Sequence, residues 1–220
     1  MHESGEQVAV ARSERGEVVL LRRGEAWELR VNGVFVMDTR HTDSERLLAS
    51  TTLRETGGGR VLVGGLGLGF TLDEVLTDPR VTTVHVVEIE PAVVDWNRRG
   101  LIVGTAHALR DSRVRVSTGD VAEVLTGLAP GSVDVVLLDV DNGPGYLVYD
   151  RNEAVYRDEF LTTCREVLAP RGHVAIWSAS PSADLAEAMR QVFGEYREIA
   201  VPVVLGTTNT SYHLYLSRRP

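Results

Sequence analysis

From residue 60 onward, short runs rich in Val, Leu and Ile alternate with amphipathic segments, and this alternation restricts the fold more than any other feature. The apolar runs are RVLVG (60–64), VTTVHVVEI (81–89), RVRVST (113–118), VDVVLLDV (133–140) and HVAIWSA (173–179), with a final pair near 197–204 and 211–217. Helical spacing falls between them, at about 68–78, 91–98, 121–128, 153–168 and 183–193. Near-continuous apolar strands separated by helices predict an α/β chain. Its Rossmann-like core is a mostly parallel, seven-stranded sheet with helices on both faces.

Residues 7–37 read differently. Short β segments break at ERGE, RGE and NG, which are turn-forming, and predict a meander of three or four strands. Such a meander is too small to form a good core alone. HTDSERLLASTTLRE (41–55) reads as a helix with Thr42 or Asp43 as N-cap, and TGGG (56–59) as a linker. The expected division is a small β module with its connecting helix over 1–52 and a ligand-binding domain over 53–220.

Composition narrows the classes of partner. A net charge of −8 argues against a nucleic-acid-binding face, which needs a basic surface. MHESGEQVAV lacks a targeting pattern, and no apolar run is long enough to span a bilayer, so the expectation is a cytoplasmic protein acting on a small molecule. Cys164 is the single cysteine, which leaves no disulfide framework or cysteine-rich metal site. It shares an apolar helix face with Phe160, Leu161 and Leu168, where a buried thiol is expected. All 23 basic residues are arginine, which excludes Schiff-base chemistry and any phosphate loop that relies on lysine.

Four glycines, Gly64, Gly65, Gly67 and Gly69, lie between the strand at 60–64 and the helix that follows. G-x-G-x-G at a strand-to-helix turn can hold a polar ligand at the carboxyl edge of the sheet, or simply let the helix pack close. The dinucleotide fingerprint fails, because Phe70 stands where its third glycine belongs. Glu88 ends the next strand, 19 residues after Gly69, where a carboxylate suits the two hydroxyls of a ribose or is merely solvated. Glu90 precedes Pro91 at a helix start and reads as a cap. Asp120 follows a strand and opens a helix, so it can cap that helix and also accept a bond from an adenine amino group. VDVVLLDVDNGPGYLVYD brings Asp139 to the carboxyl edge, followed by Asp141, Asn142 and a Gly-Pro-Gly loop with Tyr146 and Tyr149. A carboxylate at the end of a buried strand is costly unless it is solvated or used.

VEIEPAVV, DSRVRVSTGD and DVVLLDVDNGP occur in an order and spacing that resemble the spermidine synthase (aminopropyltransferase) family, within the class I S-adenosylmethionine-dependent methyltransferase fold. The resemblance implies the methyltransferase sheet order with an antiparallel last strand, and a homodimer. It assigns Gly65, Gly67, Leu68, Gly69, Glu88, Ile89, Asp120 and Val121 to the cofactor, with Glu88 on the ribose and Asp120 on the adenine. Asp139 then faces the reacting amine, with Asp141, Asn142 and Tyr146 beside it.

The departures from that family carry a further expectation. Leu68 stands where the family has an acidic residue that suits the free ammonium of decarboxylated S-adenosylmethionine. At an effective dielectric of ~20, two unit charges ~4 Å apart interact by roughly 4 kcal/mol, enough to separate that cofactor from the intact one with its carboxylate. Asp43-Ser44-Glu45 replace the family's diamine-binding tyrosine, Val36 stands where glutamine is common, and DVDNGP replaces the usual acidic loop. The favoured expectation is therefore methyl transfer from S-adenosylmethionine to a small amine or hydroxyl. Asp139 or Asp141 would handle the proton, and Asn142 or Tyr146 would orient the acceptor. His41, His107 and His173 are alternative bases. Two other readings stand beside it: an aminopropyltransferase with a divergent polyamine site, and a non-catalytic nucleoside binder on the same fold.

Overall fold

The computed structural model describes residues 5–102, 105–140, 142–143 and 150–220. Four antiparallel strands come first: β1 (Glu6–Ser13), β2 (Gly16–Arg23), β3 (Ala26–Val31) and β4 (Val34–Asp38), in the spatial order β1-β2-β3-β4. Helix α1 (Asp43–Thr56) follows and lies against the large sheet, packing on β8, β9, β11 and α2, all given below. Thr42 occupies its N-cap without a side-chain cap bond.

The α/β part runs β5 (Gly59–Gly64), α2 (Phe70–Thr77), β6 (Val81–Glu88), α3 (Pro91–Arg98), β7 (Val114–Thr118), α4 (Val121–Thr126), β8 (Val133–Leu138), α5 (Asp158–Val167), β9 (Leu168–Ser178), α6 (Ala183–Phe193), β10 (Arg197–Leu205) and β11 (Thr208–Arg218). Its seven strands lie in the order β10-β11-β9-β8-β5-β6-β7. Pairings from β9 to β7 are parallel, and β11 runs antiparallel to both β9 and β10, as the sequence led us to expect.

The strand pattern explains why both faces are covered. Along β5, Val61 and Val63 join one core while Leu62 joins the other; β8 splits the same way, Val135 and Leu137 against Val136 and Leu138. Side chains alternate across a strand, so an unbroken apolar run needs an apolar layer on each side. One layer is α1, α2, α3 and the meander, through Leu48, Leu72, Val93, Leu20 and Leu29. The opposite layer is α4, α5 and α6, and Cys164 lies fully buried in it, its thiol pushed well up by burial.

From β5 the chain steps outward to β6 and β7, then returns to place β8 on the other side of β5. Such a reversal leaves a crevice beyond the carboxyl ends of the two central strands. The Asp139 amide donates to the Gly64 carbonyl at 2.8 Å, and the Gly65 amide to the Val87 carbonyl at 2.8 Å. Three strand ends are thereby tied into one rim, and the meander roofs it with Leu29, Val31, Val34, Phe35, Val36 and Met37.

Candidate active site

The crevice is a mostly apolar cleft of about 350 Å³, a size that suits a small organic ligand. Its backbone floor is the glycine loop. Gly65 has φ +89°, and a Cβ there would stand 1.9 Å from the Asp139 carbonyl oxygen. Gly67 has φ +50°, and a Cβ would meet the Met37 sulfur at 2.5 Å. Only glycine allows the loop to pass this close to β8 and to the roof.

At one end of the cleft Glu88 is buried, with Ile89, Gly119, Asp120, Val121 and Val140 around it. Its Oε2 accepts the Leu66 amide at 2.8 Å and the Gly67 amide at 3.4 Å, and Oε1 accepts the Glu90 amide at 2.8 Å. Burial raises the Glu88 carboxyl above its ordinary range, the three amides pull it back, and the Glu90 charge adds to the rise. Asp120 does what a helix-opening aspartate should: its Oδ1 accepts the Ala122 amide at 2.8 Å. It also lines the cleft, so capping and ligand contact are both open to it.

At the other end Asp139 leaves β8 half-buried, and its Oδ2 accepts the Thr71 hydroxyl at 2.7 Å. Burial pushes its carboxyl up to about 6, opposed by the Thr71 bond and helped by the Glu88 charge. Glu45, in the first turn of α1, lines the same space. Burial first, then the charges of Asp139 and Asp38, push it up to about 8, against a 2.5 Å bond from the Ser44 hydroxyl. Tyr212 of β11 packs on Trp177 of β9 with ring centroids 4.8 Å apart. Burial, with the charges of Glu45 and Asp38, raises its phenol to about 12. Among the described residues no arginine or histidine forms an ion pair with Glu45 or Asp139.

Most of the site residues read from sequence converge here. Gly65, Gly67, Glu88, Ile89, Asp120, Val121, Asp139 and Asn142 line the cleft. Asn142 also ties roof to floor, its Nδ2 donating to the Phe35 carbonyl at 3.1 Å. Leu68 and Gly69 do not line it. Leu68 is fully buried in the core, its carbonyl accepting the Thr105 hydroxyl at 2.6 Å, and Gly69 opens α2 as its N-cap. Asp141 and Tyr146 lie outside the described residues. Glu90 holds the N-cap position of α3 without capping it; its carboxylate pairs instead with Arg15 at 2.9 Å. Of the histidines, His173 contacts Thr56 and Glu55 away from the cleft, His107 is exposed beside Asp73, and His41 bonds Asp38. Glu45, Trp177 and Tyr212 are cleft residues that sequence reasoning did not select.

The Rossmann-like crevice, acidic at its inner end and without an ion-paired cation there among the described residues, is the kind of cleft in which α/β folds take small polar ligands, and comparison with known proteins names the family. The spermine/spermidine synthase domain matches residues 40–209, and the chain belongs to that family. Polyamine aminopropyltransferase 2 of Streptomyces coelicolor is 35% identical over 147 residues, 66% of this chain and 26% of that protein. Putrescine N-methyltransferase 4 of Nicotiana tabacum is 30% identical over 123 residues, 55% of this chain and 30% of that protein. The chain thus spans about a quarter to a third of the length of these relatives. A crystal structure of spermidine synthase in complex with the transition state analogue AdoDATO superposes with a TM-score of 0.83 at 18% identity, covering 97% of this chain and 74% of that one. It establishes the shared fold.

These findings overturn the expectation of methyl transfer. The family match and the stronger relative are of the aminopropyltransferase type, while the methyltransferase covers less of the chain at lower identity. The physical ground for that expectation fails as well, because the Leu68 side chain is buried in the core and does not line the cleft.

Proposed function

We propose that this chain forms the catalytic core of an aminopropyltransferase, moving the aminopropyl group of decarboxylated S-adenosylmethionine to an amine. The observation that carries the proposal is the acidic pair at the inner end of the cleft, buried Glu45 and half-buried Asp139, with no cation set against either among the described residues. Burying such groups without a counter-charge is unfavourable, and a cationic ligand relieves it.

The residues present fit the decarboxylated cofactor. Glu88 has lone pairs left for ribose hydroxyls after its three amide bonds, and Asp120 with the apolar side chains of Ile89, Val121 and Val140 suits an adenine. Asp139 suits an ammonium, and Glu45 would give up its proton beside one, whereas the carboxylate of the intact cofactor would enter a field already negative from Asp139 and Asp38. When bound, the cofactor would supply a sulfonium, whose positive charge makes the attached carbon electrophilic and the neutral thioether a good leaving group for the amine to displace.

The chain's own task is to position and deprotonate the acceptor. Asp139, held by Thr71 and raised to about 6, is ionised at neutral pH and can take a proton from an amine. Glu45 and Tyr212 face the same space and orient the remaining polar atoms of the acceptor. The apolar walls, Val36, Met37 and Trp177 among them, exclude water and accommodate methylene groups.

Calorimetric titration of the two cofactors tests the reading. The decarboxylated form is expected to bind about 10- to 100-fold more tightly, corresponding to roughly 1–3 kcal/mol of charge discrimination. Equal affinity, or preference for the intact form, would overturn it.

A further inference from the structure

The cleft end that holds Glu88 is braced by a residue distant in sequence, from the N-terminal meander. Arg15 sits in the turn between β1 and β2 and reaches across to the β6–α3 junction. Its Nε donates to Glu90 Oε1 at 2.9 Å, and its Nη2 to the Ile89 carbonyl oxygen at 2.8 Å. These contacts grip both sides of the peptide whose N–H, that of Glu90, donates to Glu88 Oε1 at 2.8 Å.

The turn that presents Arg15 is itself fixed. Its amide donates to the Ser13 hydroxyl at 3.1 Å, and its carbonyl accepts Asn32 Nδ2 at 3.1 Å. Asn32 Oδ1 accepts the Glu17 amide at 2.9 Å, and Asn32 adopts φ +51° to do so. Gly16 follows Arg15 with φ +116°, and a Cβ there would collide with Asn32 Oδ1 at 1.8 Å. Ser13, Gly16 and Asn32 therefore fix the backbone turn from which Arg15 reaches out.

Resting on the nucleoside-binding reading above, we infer that Arg15 is a positioning residue for the donor nucleoside. It fixes the 89–90 peptide, that peptide fixes the Glu88 carboxylate, and Glu88 meets the ribose. Two physical routes run in parallel. One is geometric: the forked guanidinium constrains a carbonyl and a carboxylate together, which a point charge cannot do. The other is electrostatic: the Glu90 charge raises the proton affinity of Glu88, and the guanidinium opposes that charge. The same hairpin belongs to the sheet that roofs the cleft, so the contact joins roof and floor beside Glu88.

The test is a double-mutant cycle read by calorimetric binding of 5′-methylthioadenosine. Arg15→Met and Glu90→Gln should each weaken binding by about tenfold, and the double variant should be no weaker than the poorer single one. Arg12→Met, which removes an arginine paired with Glu17 of its own hairpin, should leave affinity unchanged. In turnover the KM for the nucleoside donor should rise in Arg15→Met while the KM for the amine stays put, a split that general loosening of the fold would not produce. Should Arg15→Met fail to fold, Arg15→Lys keeps the charge without the fork and should fall between wild type and tenfold loss. Unchanged affinity in the Arg15 variants, or fully additive losses in the double variant, would overturn the inference while leaving the aminopropyltransferase reading standing. Failure of wild type to bind 5′-methylthioadenosine would overturn both.

Discussion

The Thr71 hydroxyl donates to Oδ2 of Asp139 at 2.7 Å, joining the first turn of α2 to the end of β8 across the reversal point of the sheet. This bond favours the ionised carboxylate and opposes the desolvation that lifts Asp139 to about 6. Thr71→Val removes the donor and keeps the shape. The rate should then fall off at higher pH than in wild type, the acid limb moving up by about one to two units, given 1.5–3 kcal/mol for a bond to a charged group. A pH–rate profile checks it; an unmoved limb would take Asp139 out of the proton-transfer step.

Glu45 sets a pH dependence of stability that runs opposite to the usual acid denaturation. Its folded value of about 8 lies above its ordinary 4.5, so between those values the folded chain keeps a proton that the unfolded chain has lost. The stabilising effect of that proton is full below about pH 4.5 and disappears as pH rises through 8. Glu45→Gln cannot titrate. Without ligand it should match wild type near pH 5 and exceed it by about 2–4 kcal/mol near pH 9, as measured by denaturant unfolding at both values.

Glu88→Ala should harm folding as well as binding. The carboxylate accepts the amides of Leu66, Gly67 and Glu90, and its loss strands donors in a buried loop. A stability loss of about 2–4 kcal/mol is expected, together with weakened nucleoside affinity. Undiminished stability in thermal unfolding would mean that the loop keeps its form without Glu88.

Leu68→Asp should not exchange one cofactor for another. Its side chain is fully buried among apolar neighbours, so the substitution places a carboxylate in the core at a cost of at least about 3 kcal/mol. A folded variant with inverted cofactor preference would restore Leu68 to the ligand site.

What was legible from sequence follows physical lines. Strand runs such as VLV and VVLL announce a sheet buried on both faces, and their ends announce Glu88, Asp120 and Asp139, because strand ends face the crevice whatever the details of packing. Leu68 was misread because it lies in the glycine loop. Gly67 and Gly69, with φ +50° and +91°, flank it, and its side chain lies in the core. Glu45 was not legible because an acidic residue in the first turn of a helix is ordinary on dipole grounds. Only the packing of α1 against β8 and β11 turns it into a buried carboxylate beside Asp139. Tyr212 and Trp177 look like plain strand aromatics until the antiparallel β11 lays one against the other. Arg15 was hidden for the same reason, since its partners lie 74 and 75 residues away.

The central claim is that the acidic end of the cleft serves aminopropyl transfer. Purified protein incubated with decarboxylated S-adenosylmethionine and 1,4-diaminobutane, with products followed by mass spectrometry, tests it most directly. The account predicts 5′-methylthioadenosine together with an amine heavier by one aminopropyl group, and loss of both products in Asp139→Asn with nucleoside affinity kept within a few-fold. Formation of S-adenosylhomocysteine and a methylated amine from the intact cofactor, with no product from the decarboxylated one, would contradict it.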